Sequence, residues 1–130
     1  MARFLFFASI LSGFLAVAIG AFGAHGLKDS LQPEMRVVFE TGNRYHFYHS
    51  LALLGTSILY FLSDSAVLNL NTKLLAFAGI SFLAGLVLFS LSLYALAITE
   101  WRIFGAITPF GGMSFLVGWI FLGISGLKPR

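Results

Sequence analysis

The chain reads as an all-α integral membrane protein, with four transmembrane helices arranged as two antiparallel hairpins and a single domain spanning residues 1–130. Three observations predict this. The 8 Lys and Arg and the 5 Asp and Glu all fall outside four apolar stretches, Phe4–Ala24, Tyr45–Ser63, Leu74–Thr99 and Ile103–Leu127. Those stretches are 19 to 26 residues long, enough to cross ~30 Å of hydrocarbon at about 1.5 Å of helix rise per residue. Composition agrees, with 58% hydrophobic residues, 15 phenylalanines and a mean hydropathy of +0.92. A water-soluble chain this short lacks the interior to hide so much apolar surface, and its helices would show polar faces at the 3.6-residue period.

Helix 1 is predicted over Phe4–Ala24. Its apolar run exceeds the roughly 7–15 residues of a secretory h-region, so it is expected to be retained rather than cleaved. Ser9, Gly13, Ala16, Gly20 and Gly23 recur at steps of three or four and form a smooth stripe for close helix contact. The connection to helix 2 is not a plain loop. Pro33 suits a first helical position, and Glu40 and Arg44 stand i,i+4. Either a short interfacial helix lies here, or helix 2 extends from near Pro33 well beyond the membrane, with Gly42-Asn43 as a site for a bend. Helix 2 spans Tyr45–Ser63. Asn69-Leu70-Asn71-Thr72 reads as a polar turn in which Asn71 or Thr72 caps helix 3. Ser81, Gly85, Ser92 and Ala95 give helix 3 a small-residue face, and Gly105, Gly111, Gly112 and Gly118 do the same for helix 4. Pro109 falls in the opening turns of helix 4, where proline costs little.

Short links place both termini on one membrane face and the 1–2 connection and 3–4 turn on the other. Basic residues divide evenly, Arg3, Lys73, Lys128 and Arg130 against Lys28, Arg36, Arg44 and Arg102. The acidic Asp29, Glu34, Glu40 and Glu100 offset the second set, so the termini are expected in the cytoplasm and the protein in the cell (inner) membrane.

Several function classes are disfavoured. A net charge of +3 is too small to suggest nucleic acid, and zero cysteines exclude disulfides and thiolate chemistry. No ionisable Asp, Glu, Lys or Arg lies within a span to mark an ion path. No nucleophile–base pair, phosphate-cradling loop or paired carboxylates stand out, so no enzyme is expected.

The polar signal gathers at the non-terminal end. His25 closes helix 1, while His46 and His49 open helix 2 one turn apart. Asn43, Tyr45, Tyr48, Tyr94, Thr99, Glu100 and Thr108 belong to the same end, where a polar pocket near the bilayer surface would be easy to build. Imidazoles from all three histidines with Glu40 or Glu100 would suit zinc or copper. A haem between His25 and His49, or a quinone or lipid head group against His49 and tyrosines, are alternatives. The bland reading is boundary residues that anchor helix ends.

Four ordered segments resemble one family. They are Gly20-Ala21-Phe22-Gly23-Ala24-His25-Gly26-Leu27, then Tyr45 with His49-Ser50-Leu51-Ala52-Leu53-Leu54, then Leu88-Phe89-Ser90-Leu91-Ser92-Leu93-Tyr94, and Thr108-Pro109-Phe110-Gly111-Gly112 with Gly118-Trp119. Together they are similar to the bacterial membrane-protein family known as domain of unknown function 423 or uncharacterised protein family 0382, to which vertebrate transmembrane protein 256 is also similar. The resemblance implies a small multi-pass membrane protein and no established reaction or cofactor. It implies weight for His25 and His49, whereas His46 stands where members often carry glutamine, which speaks against a three-histidine metal site. From these motifs His25, His49, Tyr94 and Thr108-Pro109 are expected to form one hydrogen-bonded cluster. The leading expectation is a non-enzymatic accessory or scaffold protein, self-associating or joined to a membrane-protein partner through Gly13, Gly20, Gly23, Gly85, Gly111, Gly112 and Gly118. The alternative is a small-molecule binder or carrier, for lipid, quinone or metal ion, at the non-terminal face.

Overall fold

A computed structural model of the protein describes residues 1–27 and 29–127. Lys28, Lys128 and Arg130, which entered the charge comparison, lie outside the described residues. The rest form four helices: α1 (Ala2–His25), α2 (Pro33–Asp64), α3 (Thr72–Thr99) and α4 (Arg102–Leu127). Within α3 the chain is α-helical to Gly85, makes a π-helical turn over Leu86–Leu91, and returns to α-helix from Ser92. α1 lies against α2 and α4 against α3, while α2 and α3 join the two hairpins.

Three helices, α1, α3 and α4, are long and apolar enough to cross a membrane. α2 is as long but less apolar, because it carries the histidines and a run of hydroxyls. Those groups point inward: His46, His49, Ser50, Thr56, Ser57 and Ser63 are all buried. Large apolar side chains point the other way, including Phe7 and Phe14 of α1 and Phe110, Leu116 and Ile120 of α4. This inversion suits lipid, where an exposed phenylalanine is at home and an exposed hydroxyl is not.

The two alternatives for the first connection resolve into one continuous helix. α2 starts at Pro33 in its first turn and runs 32 residues, roughly 48 Å at ~1.5 Å per residue. That exceeds a ~30 Å hydrocarbon core, so one end projects beyond it. The helix is unbroken through Gly42-Asn43, and Gly42 is where α2 meets α3: a Cβ there would lie 3.0 Å from Leu93 Cβ and 3.3 Å from the Ser90 carbonyl. The caps follow local chemistry. Asn71 Oδ1 accepts from the Lys73 and Leu74 N–H groups at 3.1 and 3.2 Å, starting α3. Glu100 ends it in the left-handed conformation (φ 58°), its N–H donating to the Leu96 carbonyl at 2.8 Å.

Two apolar clusters hold the bundle. One packs Leu5, Leu53, Ala78, Phe82, Leu86 and Phe115. The other gathers Phe39, Tyr94 and Ala97 at the non-terminal end, closed by Ile19, Leu27, Leu31, Met35 and Val38. The first connection thus supplies leucines that seal the bundle. The glycines set helix spacing: Gly23 accommodates Phe39, Gly85 accommodates Phe115, and Gly118 accommodates Phe82. The closest approach to neighbouring backbone is at Gly111, where a Cβ would meet Leu88 and Phe89 inside the π turn.

Candidate functional site

Polar groups from three helices meet between the two apolar clusters. Asn43 and His46 lie three residues apart on α2, and Ser50 follows four later, so all share one helix face. Asn43 Nδ2 donates to the Ala16 carbonyl at 2.7 Å and to the Tyr94 hydroxyl at 3.1 Å. Tyr94 Oη lies 3.0 Å from His46 Nδ1, and His46 Nε2 lies 3.1 Å from Ser12 Oγ. Ser12 Oγ is 2.6 Å from Ser50 Oγ, which donates back to the His46 carbonyl at 2.8 Å.

Counting hydrogens orients the whole chain. Ser50 spends its one hydrogen on a carbonyl, so Ser12 must donate to Ser50. Ser12 therefore has none left for the ring, and His46 Nε2–H donates to it. His46 Nδ1 is then a lone pair that accepts from Tyr94 O–H, and Tyr94 in turn accepts from Asn43. With the ring neutral, every member is satisfied. Part of the chain closes on itself, from the His46 ring through Ser12 and Ser50 to the His46 carbonyl.

His49 occupies a second, aromatic environment. Its Nδ1 donates to the Tyr45 carbonyl at 2.9 Å, leaving Nε2 to accept from Trp119 Nε1–H at 3.3 Å. The ring stacks on Phe115, with centroids 3.5 Å apart and planes 11° from parallel. Phe82 and Tyr45 flank it at 5.8 Å each. Both nitrogens are occupied by protein partners.

The expected single cluster of His25, His49, Tyr94 and Thr108-Pro109 does not form. His25 is exposed in the last turn of α1, with Nδ1 3.0 Å from the Ala21 carbonyl. Thr108 Oγ1 lies 2.8 Å from Ser92 Oγ, joining α4 to α3 just after the π turn. Pro109 is exposed within the unbroken α4, and Glu100 is an exposed helix cap. Tyr94 instead pairs with His46 and Asn43. The reason is helix rotation: spacing along a sequence says which residues share an end of the bundle, not which faces turn toward one another. Among the described residues no three His, Asp or Glu side chains stand close enough to hold a metal ion, so the three-histidine arrangement does not assemble. Ser12 completed the network without standing out beforehand, and Asn43, Ser50 and Trp119 had been noted without these partners. The available signal was the 3,4 spacing of Asn43, His46 and Ser50, which continues to buried Leu53 and Ser57.

A cleft of about 590 Å³ opens where α2 leaves the membrane. Two neighbouring rows of α2 line it, Arg36, Glu40, Arg44 and Tyr48 in one and Phe39, Asn43 and Phe47 in the other. Gly20, Gly23 and Ala24 of α1 and Leu31 complete the wall. From Arg36 to Tyr48 the cleft follows α2 for roughly 18 Å, at ~1.5 Å per residue. Charged and aromatic side chains alternate along it, with Phe39 between Arg36 and Glu40 and with Arg44 next to Asn43 above Phe47 and Tyr48. Asn43 belongs both to its floor and to the buried chain.

Apolar outer faces, inward-turned polar groups and four packed helices define a multi-pass helical membrane protein. The chain belongs to the protein family of unknown function described as DUF423, whose model matches residues 19–112. A UPF0382 membrane protein of Staphylococcus epidermidis is 43% identical over 118 residues, covering 91% of this chain and 90% of the relative. The UPF0382 membrane protein YwdK of Bacillus subtilis is 42% identical over 120 residues, covering 91% of each chain. The UPF0382 inner membrane protein YgdD of Escherichia coli is 35% identical over 133 residues, covering 97% of this chain and 91% of that one. No solved structure matches the chain.

Proposed function

We propose that this protein is a non-enzymatic binder of a small amphiphile, held at the membrane boundary in the cleft between α1 and the projecting part of α2. The observation that carries this reading is the cleft itself, about 590 Å³ and lined by the charged Arg36, Glu40 and Arg44 together with the rings of Phe39, Phe47 and Tyr48. That mixed lining suits a molecule with a polar head and an apolar body. The scaffold reading relied on glycine faces, and most of those glycines serve contacts within the bundle: Gly20 against Asn43, Gly23 against Phe39, Gly85 against Phe115, Gly111 against the π turn and Gly118 against Phe82. They are therefore a weak argument for a partner. The satisfied networks around His46 and His49 are read as structural supports for the cleft floor. The protein acts as a single domain of the inner membrane with cytoplasmic termini, so the cleft faces the opposite side.

The test is native mass spectrometry of protein released from its own membrane in mild detergent. The wild type is expected to retain a small molecule of defined mass. Ala24→Trp, which fills the cleft from an exposed position, is expected to lose it while unfolding at the same denaturant concentration. A bare wild-type protein, or a bound species retained equally by Ala24→Trp, would refute the reading.

A further inference from the structure

The class of head group follows from one side chain, Asn43, given the reading of the cleft as an amphiphile site. Asn43 stands on the cleft floor, and its amide is locked. Nδ2 spends both hydrogens inside the bundle, on the Ala16 carbonyl at 2.7 Å and on Tyr94 Oη at 3.1 Å. Turning the amide over would set Oδ1 against the Ala16 carbonyl, two acceptors face to face, so only one orientation is open to it. Oδ1 therefore stays beside Gly20, itself part of the cleft wall. Among the described residues this oxygen accepts no hydrogen bond. Glycine leaves it uncovered, since a Cβ at position 20 would lie 2.6 Å from Oδ1.

We propose that the cleft selects amphiphiles whose head group carries an N–H or O–H hydrogen, and that this hydrogen is donated to Asn43 Oδ1. Solvent can supply such a hydrogen to an open cleft. A bound head group displaces that solvent, and a head without a donor then strands an acceptor that cannot turn toward another partner. Sites built around a fixed polar atom reject analogues that lack its partner for this reason. Glu40, exposed on the same wall, is a second acceptor and favours the same chemistry. Net charge does not enter the choice. An ammonium on a zwitterionic head and a hydroxyl on an anionic head both qualify, whereas a quaternary ammonium and a plain alkyl ester do not.

The experiment gives the full-length protein, stripped of lipid in mild detergent, a choice within two pairs of phospholipids, each pair matched in acyl chains and net charge. Phosphatidylethanolamine competes with phosphatidylcholine, which carries methyl groups in place of the ammonium hydrogens. Phosphatidylglycerol competes with phosphatidylpropanol, which lacks the hydroxyls. Native mass spectrometry weighs the complexes. In each pair the donor-bearing lipid is expected to be retained about tenfold over its partner, the effect of leaving one acceptor unpaired. Gly20→Ala, which sets a methyl group against Oδ1, should bring both ratios close to unity. Equal retention within either wild-type pair would overturn the proposal, because a preference confined to the first pair would be one for a slimmer head. Ratios undiminished in Gly20→Ala would overturn it as well. The wild-type pairs decide the matter even where Gly20→Ala fails to fold. Bound lipid that Ala24→Trp removes, with no preference within the pairs, would overturn the donor requirement and leave the amphiphile cleft standing. Bound lipid that Ala24→Trp keeps would overturn both.

Discussion

Adding a single methyl group at Gly111 tests whether α3 and α4 are held at backbone contact by the π turn. An alanine Cβ there would lie 2.6 Å from the Leu88 carbonyl carbon and 2.7 Å from Phe89 Cα, and closer still to Phe89 N. These are backbone atoms, so no side chain can swing away. Ordinary carbon contacts need about 3.5–4.0 Å, and the helices must separate by roughly 1 Å. Overpacking of this kind costs ~1–3 kcal/mol. Separation also loosens the same seam where Phe115 fills the space at Gly85 and Phe82 fills that at Gly118, and a gap of 0.5–1 Å forfeits about a quarter to a half of each contact. Against this stands a gain of ~0.5–1 kcal/mol from replacing a helical glycine. The net expectation is a loss of about 2 kcal/mol. The assay is denaturant unfolding in lipid bicelles followed by circular dichroism, with Gly55→Ala as control, since a Cβ at Gly55 meets nothing within 4 Å. Gly111→Ala as stable as that control would refute the close-contact account.

His46→Gln should cost under about 1 kcal/mol, because an amide presents one donor and one acceptor as the neutral imidazole does; His46→Leu should cost ~2–3 kcal/mol by stranding Tyr94 and Ser12. The two unfolding midpoints decide it, and equal losses would contradict the assigned hydrogen-bond directions. Glu100→Gly should stabilise by roughly 0.5–1 kcal/mol, since a side chain at φ 58° is strained and glycine is not; a lower midpoint would count against the cap. Asn71→Ala should remove about 1 kcal/mol by unsatisfying the first N–H groups of α3, read as faster amide exchange at Lys73 and Leu74.

Hydropathy located three helices to within two residues at each end: Phe4–Ala24 became Ala2–His25, Leu74–Thr99 became Thr72–Thr99, and Ile103–Leu127 became Arg102–Leu127. It understated α2 by thirteen residues, Asp64 at one end and Pro33–Arg44 at the other, where charges end an apolar run without ending a helix. Pro33 and the Glu40–Arg44 spacing pointed to that extension, and α2 adopts it. The π turn was illegible because it depends on what packs against it, Gly42 from α2 and Gly111 from α4. The polar site was placed at the correct end of the bundle with the wrong pairings. Tyr94 was singled out and found its partner in His46 rather than His49, a matter of helix rotation that only the packed bundle decides. Arg36, Glu40 and Arg44 had been read as part of a short interfacial helix or of an extended helix 2. Their place beside Gly20, Gly23 and Ala24 depends on how α1 and α2 cross.

The ring that begins and ends on His46 has an electrical consequence. A proton wire needs groups that can take a proton at one end and release it at the other, and this seam has neither. Its upper end is the amide of Asn43, which donates but does not relay, and its lower end is the backbone carbonyl of His46, which accepts and passes nothing on. A buried histidine with tyrosine and serine neighbours would otherwise invite leakage across half the bilayer. Here the hydroxyls all point one way into a closed end, so the polar stitching that joins α1, α2 and α3 gives a proton no exit along this seam.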